Sequence, residues 1–220
     1  MDYVVVFFDL DGTLTDPKLG ITGCIRHALA ELGMPVPAVE ELTWCIGPPL
    51  LDSLTTLVGE QHAPAALRLY RERFSTVGLY ENAVYPGVVE LLAALGTQGV
   101  RMFVASSKPL VYVRRIVAHF GLADHFEKLY GSELDGTRVD KTELLAYALA
   151  DAGVTANRAT MVGDRHHDIV GAHRNGMRSV GVLYGYGARS ELEGAGAMVL
   201  ASDPSALAGL LVPAQRDDDD

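Results

Sequence analysis

An apolar run near the N-terminus constrains the fold of this chain more than any other feature. Residues 3–8, Tyr-Val-Val-Val-Phe-Phe, are β-branched or aromatic and do not alternate with polar residues. This pattern is typical of a strand buried on both faces of a parallel sheet. Similar apolar runs follow at residues 100–105, 126–130, 159–162 and 179–183. Helical patterns separate these runs, which predicts an α/β fold with a doubly wound, mostly parallel, Rossmann-like sheet.

Two of the separating segments carry clear helix signals. In residues 110–120 apolar side chains recur at helical spacing, and Gly121 follows as a stop. Residues 140–152 begin with Asp140, a residue type favoured at helix N-caps, and end before Gly153. Each segment therefore predicts a helix that connects two strands of the sheet.

Residues 17–82 break this alternation, because helical patterns follow one another there without a convincing strand. Pro64 suits a first helical position, and an apolar stripe runs through Ala63, Ala66, Leu67, Tyr70, Phe74 and Val77. A helical segment placed after the first strand predicts a separate small domain. We therefore expect an α/β core formed by residues 1–16 and 83–216, with residues 17–82 inserted as an all-helical domain.

Composition restricts the partners of the chain. Asp and Glu outnumber Lys and Arg by 28 to 18, for a net charge of −10, so neither a nucleic-acid polymer nor an anionic membrane is an expected partner. The run Val4–Phe8 is too short for a membrane span or a signal peptide. Cys24 and Cys45 form no disulfide framework and are expected as reduced thiols. We expect a cytoplasmic monomer or homodimer whose acidic tail, residues 217–220, is solvated and disordered.

The first apolar run ends in the sequence Asp-Leu-Asp-Gly-Thr, which starts at Asp9. Ligand sites of open α/β sheets lie at the carboxyl ends of strands, and Gly12 lets the chain turn close to a ligand. One of two such aspartates can act as a nucleophile and the other, Asp11, as a general acid and base. The alternative is a polar turn that caps a strand. That interpretation is preferred for a near-copy of the motif at residues 133–137, Glu-Leu-Asp-Gly-Thr.

Together with three further motifs in the same order, this segment resembles the haloacid dehalogenase superfamily of phosphohydrolases. Within it, the chain is similar to the phosphoglycolate-phosphatase-like branch, whose members carry a helical cap after the first strand. The resemblance implies that Asp9 is the nucleophile and Asp11 the general acid and base of a phosphatase. The motifs span nearly the whole chain, and the helical stretch at residues 17–82 fits the cap of this branch independently of them.

The second and third motifs of the superfamily supply groups that bind the phosphoryl group. By resemblance, Ser106 donates a hydrogen bond to it, and Ser107 stands beside Ser106 with a less defined role in substrate binding. Lys141 matches the motif lysine, which neutralises charge on the phosphate and on the nucleophile. The alternatives are a helix N-cap for Ser106 and a surface lysine for Lys141, with Lys108 and Arg138 as competitors for its role.

The fourth motif, Gly-Asp-Arg-His-His-Asp, follows another apolar run and implies a Mg²⁺ site, because Mg²⁺ prefers oxygen ligands. By resemblance, Asp9 and Asp164 bind the ion directly, the backbone carbonyl of Asp11 contributes, and Asp168 orients a water or Lys141.

Zinc is an alternative ion at this motif. His166 and His167, with His173, would have to supply its ligands beside Asp164, but no HExxH or cysteine-rich spacing is present. A solvated loop or a contact with the substrate is preferred for His166 and His167.

Substrate choice is expected to come from the cap. Gly47 and Pro48, in the turn Gly-Pro-Pro, are expected to face the active site and contact the substrate; a simple turn between two helices is the alternative. The expected substrate is a small phosphorylated metabolite, such as a phosphoglycolate-like monoester. A 5′-nucleotidase-like enzyme and a phosphohexomutase of the same superfamily stay open as alternatives.

Two other classes of protein fit the motifs less well. A signalling receiver domain carries its accepting aspartate on the third strand and lacks a helical insert, whereas Asp9 follows the first strand. A non-catalytic binding module would not need candidates for all four motifs.

Overall fold

A six-stranded sheet in which all strands run parallel forms the centre of the fold. The computed structural model describes residues 5–211. Its strands are β1 (Val5–Phe8), β2 (Thr15–Asp16), β3 (Ala83–Val84), β4 (Arg101–Pro109), β5 (Lys128–Ser132), β6 (Ala159–Gly163), β7 (Arg178–Val182) and β8 (Val199–Ala201). The sheet order is β5-β4-β1-β6-β7-β8, with parallel pairing throughout. The predicted doubly wound α/β core is confirmed, and each apolar run contributes a strand.

Helices connect the strands and cover both faces of the sheet. They are α1 (Lys18–Glu31), α2 (Leu50–Val58), α3 (Ala63–Arg73), α4 (Val88–Thr97), α5 (Leu110–His119), α6 (Lys141–Ala152), α7 (His166–Arg174), α8 (Arg189–Gly194) and α9 (Pro204–Leu211). Short 3₁₀ turns occupy Glu40–Cys45, Ala123–His125 and Ala156–Arg158. The helix expected from residue 140 onward begins as predicted, because the side chain of Asp140 accepts hydrogen bonds from the first backbone amides of α6.

Strand β1 is buried on both faces, as its composition predicts. Val6 and Phe8 join the apolar cluster that includes side chains of α4, α5 and α9. Val5 and Phe7 join a second cluster with α6 and α7. The ring of Phe7 stacks on that of Phe103 in the neighbouring strand, with centroids 4.9 Å apart, a geometry that adds about 1 kcal/mol beyond burial. This central strand therefore holds the residues that follow it in a fixed position.

Residues 17–82, called the helical insert below, contain α1 to α3, which pack mainly on one another. Most of its predicted apolar stripe is buried, including Tyr70 and Phe74, but Val77 is 45% exposed, so its assignment to the stripe was wrong. The reason is a π-helical turn at Phe74–Gly78. Because this turn is wider than an α-helical turn, the stripe changes direction there and Val77 leaves the buried face.

A short ribbon joins the insert to the core at both of its ends. β2 pairs with β3 in antiparallel fashion, Thr15 with Val84 and Asp16 with Ala83. The chain thus leaves and re-enters the core at adjacent points, directly beyond the carboxyl end of β1.

Within residues 5–211, no helix is both long and apolar enough to cross a membrane. The acidic tail at residues 217–220 and the end of the predicted core range lie outside the described residues.

Candidate active site

The two aspartates of the first motif lie at the carboxyl end of β1, and both are buried. The amide of Asp9 donates a hydrogen bond to the carbonyl of Val162 in β6, 2.9 Å away, so the parallel pairing continues through this residue. Gly12 turns the chain with a φ of +84°, and a Cβ at this position would collide with the carboxylate of Asp164. Glycine is therefore required here both by the backbone conformation and by the close approach of the fourth motif.

Lys141 lies at the centre of a buried group of oxygens. Its Nζ is 2.9 Å from Asp9 Oδ1, 2.8 Å from Asp168 Oδ1 and 2.8 Å from the carbonyl of Ala105. Burial alone would lower the pKa of Lys141, but the charges of Asp168 and Asp9 outweigh it and raise the pKa, which keeps the ammonium charged. The residue is only 5% exposed, so the alternative of a surface lysine is wrong.

We expect Lys141→Met to lower the free energy of unfolding by about 3–5 kcal/mol, because Asp9 and Asp168 would stay buried without their cation. The matched control is Lys128→Met, which removes a 2.6 Å ion pair between the exposed Lys128 and Asp151 and should cost less than about 1 kcal/mol. Urea unfolding in the presence of EDTA measures both. Equal losses in the two variants would contradict the buried ion-pair assignment.

Lys108 contacts the other aspartate. Its Nζ lies 2.5 Å from Asp11 Oδ2, and the ammonium also lies over the ring of Phe74, 4.8 Å from the centroid. Burial raises the pKa of Asp11 above its ordinary value, although Lys108 acts in the opposite direction, and the charge of Asp9 adds to the rise. Each aspartate thus contacts one ammonium, Lys141 for Asp9 and Lys108 for Asp11, and at Asp11 burial outweighs that contact, so Asp11 favours a bound proton more than an exposed aspartate does.

Asp164 is completely buried and holds a fixed orientation. Its Oδ2 accepts a hydrogen bond of 2.7 Å from the amide of Tyr186, while its Oδ1 accepts none within the part of the chain that the structure describes. Burial and the charges of Asp168 and Asp9 raise the pKa of Asp164 well above its ordinary value. One carboxylate oxygen each from Asp9, Asp164 and Asp168 lie within 4.8 Å of one another. An orphaned carboxylate oxygen in a cluster of buried like charges is the environment that a divalent cation stabilises.

Two serines near the end of β4, Ser106 and Ser107, line a cavity together with Asp9 and Asp11. Ser106 is buried, and its Oγ accepts a hydrogen bond of 3.4 Å from the amide of Lys108. Helix α5 begins at Leu110 without a side-chain cap, so the N-cap alternative for Ser106 is wrong. The carbonyl of Ser107 accepts a hydrogen bond of 2.8 Å from Ser132 in the neighbouring strand.

The four motif segments lie at one edge of the sheet. Both the sequence and the fold of this chain are similar to those of known proteins. The sequence profile of the haloacid dehalogenase-like hydrolases matches residues 6–182. The chain belongs to this family. A 5′-nucleotidase of Pseudomonas aeruginosa is 49% identical over 192 residues, which cover 86% of this chain and 87% of that protein.

Two further proteins resemble this hydrolase over most of its length. A Clostridium acetobutylicum protein, whose crystal structure is described as that of a predicted phosphatase, superposes with a TM-score of 0.91 at 37% identity and covers 96% of this chain and 98% of its own. The tyrosine-protein kinase PtkA of Mycobacterium tuberculosis is 44% identical over 183 residues, or 83% of this chain, but this chain spans 63% of the length of PtkA. The family match, the 5′-nucleotidase relative and the predicted phosphatase together identify the hydrolase as a phosphatase of the haloacid dehalogenase type.

A cavity of about 270 Å³ lies between the strand ends and the helical insert. Asp9, Asp11, Ser106 and Lys141 lie on its core side. Its opposite wall is mostly apolar and includes Gly47, Pro48, Leu50, Tyr70 and Phe74. The turn Gly-Pro-Pro therefore faces the candidate site in the structure.

The near-copy of the motif at residues 133–137 forms a turn, as expected, since Asp135 Oδ1 accepts a hydrogen bond of 2.9 Å from the amide of Thr137. This turn also lines the cavity, a position that the sequence did not reveal. Arg138 follows the turn and pairs with Glu133 at 2.5 Å. Arg138 is therefore engaged there and does not replace Lys141.

The rings of His166 and His167 in the fourth motif lie against each other, tilted by 40°, with centroids 3.8 Å apart. His166 Nδ1 lies 2.8 Å from Glu191, and His173 Nε2 lies 2.9 Å from the hydroxyl of Ser179. His167 lines the cavity, and burial, with the charges of His166 and Arg165, lowers its pKa to about 4. Over residues 5–211 the carboxylates of Asp9, Asp164 and Asp168 are the group that converges as metal ligands do, so the zinc alternative has no support.

One part of the site was missed from sequence, the loop after β7. Cβ atoms at Gly185 and Gly187 would collide with Asp164, and the Gly185 position also touches the carbonyl of Gly12. The hydroxyl of Tyr186 donates a hydrogen bond to Asp16 in the ribbon. Residues 183–187 read Leu-Tyr-Gly-Tyr-Gly, and their two closely spaced glycines were the available signal.

Proposed function

We propose that this phosphatase hydrolyses small phosphate monoesters through an aspartyl-phosphate on Asp9, with Mg²⁺ as its cofactor and the helical insert as its cap. The observation that carries the proposal is the placement of Asp9. It is a buried carboxylate that contacts Lys141, lies beside Asp11, and opens into the cavity. A nucleophile, a proton carrier and a fixed cation thus meet at one edge of the sheet.

Mg²⁺ fits the donor set, which is composed of oxygens and includes the orphaned Oδ1 of Asp164. The carboxylates of Asp9 and Asp164 and the carbonyl of Asp11 would hold it, and Asp168 would support the site through its contact with Lys141. When bound, the ion supplies positive charge that offsets the charge of the phosphoryl oxygens and of the buried aspartates.

The residues of the chain divide the two chemical steps between them. A carboxylate oxygen of Asp9 attacks phosphorus, and the bond from phosphorus to the leaving oxygen breaks as Asp11 gives that oxygen its proton. Asp11, now ionised, takes a proton from water, whose oxygen attacks the phosphorus and releases inorganic phosphate from Asp9. Ser106 donates a hydrogen bond to a phosphoryl oxygen, and Lys141 offsets negative charge in both steps.

The cavity wall supports a leaving group that is larger and less polar than glycolate. Tyr70, Phe74 and Tyr112 line the cavity together with Leu50 and Leu67. Such a wall gains free energy from burying an apolar or aromatic group, at about 25 cal/mol per Å² of buried apolar surface. We therefore place nucleoside 5′-monophosphates ahead of phosphoglycolate as substrates, which agrees with the name of the Pseudomonas aeruginosa relative.

A phosphate-release assay over a panel of monoesters tests this function. We expect Mg²⁺-dependent release from nucleoside 5′-monophosphates with kcat/KM at least about tenfold above that for phosphoglycolate, and no release in excess EDTA. Glucose 1-phosphate in the same panel tests the mutase alternative, because a mutase yields an isomeric hexose phosphate in place of inorganic phosphate. Release that does not respond to EDTA would contradict the metal, and a preference for phosphoglycolate would contradict the substrate class.

A further inference from the structure

An arginine of the core reaches across the cavity entrance to the helical insert. Arg165 follows Asp164 directly, and its Nη1 donates a hydrogen bond to the carbonyl of Ile46 in the insert. The contact extends to the next residue, because a Cβ at Gly47 would lie 2.6 Å from Arg165 Cγ. Gly47 also has a φ of +103°. The backbone of the insert therefore lies directly on this side chain, at the segment that leads into the cavity wall.

Glu191 in α8 holds Arg165 in this orientation. Its Oε1 accepts hydrogen bonds of 2.9 Å from Arg165 Nε and from the amide of His166. The guanidinium is therefore engaged at two positions at once, Nε with the core and Nη1 with the insert. The Arg165 side chain is only 12% exposed, so water competes little for these bonds. A lysine ammonium has no planar fork and cannot reproduce both contacts.

We propose that Arg165, held by Glu191, is a positioning residue that fixes the loop of residues 46–49 over the candidate active site. The acceptor is a backbone carbonyl, so the contact sets where the loop lies and does not depend on the side chain of Ile46. The loop carries Gly47 and Pro48 into the apolar wall of the cavity, which the proposed function assigns to the leaving group. This inference deepens the proposed function. Only its kinetic consequence rests on that function, because the position of the loop can be measured without turnover.

Trp44 provides a reporter that does not require turnover. It is the single tryptophan of the chain, lies two residues before Ile46, and is 43% exposed. Acrylamide quenching of its fluorescence measures the freedom and exposure of the loop. We expect quenching to rise by about half or more in Arg165→Lys and in Glu191→Ala, because each change frees the loop from the core.

The matched control is Glu193→Ala. Glu193 also lies in α8, but it forms an exposed ion pair with Arg189 at 3.2 Å, whereas the ion pair of Arg165 is with Glu191. Quenching in this variant should equal that of the parent. Circular dichroism and the melting temperature establish that each variant is folded, and Glu191→Ala serves as the second variant if Arg165→Lys fails to fold.

Kinetics separate a positioning role from a general loss of structure. We expect KM for the best monoester to rise by about tenfold in Arg165→Lys and Glu191→Ala while kcat changes by less than about threefold, because the loop contacts the leaving group and not the reacting atoms. Unchanged quenching in both variants, or the same rise in Glu193→Ala, would overturn the inference. If quenching increases in the two variants but the parent protein releases no phosphate from any monoester, the positioning role stands and the proposed function is contradicted.

Discussion

Asp9→Asn should lower kcat/KM for phosphate release by about 10³-fold or more, because an amide is neither a nucleophile nor an anion. The substitution keeps the shape of the side chain and an oxygen that can still accept from Lys141, whose Nζ is 2.9 Å from Asp9 Oδ1 in the parent. We therefore expect the variant to fold, with loss of the reaction as its main defect. Phosphate release with a nucleoside 5′-monophosphate and Mg²⁺ measures the effect.

Asp124→Asn is the matched control for this variant. Asp124 is exposed in a short 3₁₀ turn after α5 and does not line the cavity. Its change to asparagine should leave kcat/KM within about twofold of the parent, as surface substitutions usually do. Activity of Asp9→Asn within tenfold of the parent would contradict the assignment of Asp9 as the nucleophile.

Asp11→Asn should lower kcat by about 10²–10⁴-fold for alkyl phosphates, because an amide cannot give a proton to the leaving oxygen. The effect on the first step should depend on the leaving group. p-Nitrophenol leaves as a stable anion without protonation, so the first step with p-nitrophenyl phosphate should stay fast. The second step also needs Asp11, as the base for water, and should be slow with every substrate.

The two steps can be separated in rapid-mixing experiments. With p-nitrophenyl phosphate, Asp11→Asn should release a burst of p-nitrophenol close to one equivalent per enzyme, followed by slow turnover. The parent should show no burst if its second step is faster than its first. Asp11→Asn with steady release at the parent rate would contradict the role of Asp11 in both steps.

Residues that lie close together in the sequence were the most predictable part of the site. Asp9 and Asp11 follow the end of one strand, and Asp164 and Asp168 follow the end of another. The apolar runs predicted that each pair lies at the carboxyl end of a strand, where ligand sites of such sheets lie, and the family resemblance implied that Asp164 and Asp168 join Asp9 in one metal site. The structure shows the convergence for Asp9, Asp164 and Asp168. The chemical roles of these residues stay predictions.

Contacts between distant segments could not be predicted in the same way. The pairing of Lys108 with Asp11 depends on how the end of β4 bends, which its run of polar residues does not specify. The contact of Arg165 with Ile46 depends on where the helical insert packs. Val77 shows that prediction can fail even within one helical segment. The α-helical period described the apolar stripe correctly up to Phe74, but the π-helical turn that follows changes its direction.

The position of the phosphoryl group in the trapped intermediate is the most direct test of the mechanism. Asp11→Asn is mixed with p-nitrophenyl phosphate and Mg²⁺, quenched in acid during the slow phase, digested at acidic pH and analysed by tandem mass spectrometry. The account predicts one added phosphoryl group on the peptide that begins the chain, located at Asp9. A phosphoryl group on Ser106, His166 or His167, or a burst without any covalent phosphoryl group, would contradict it.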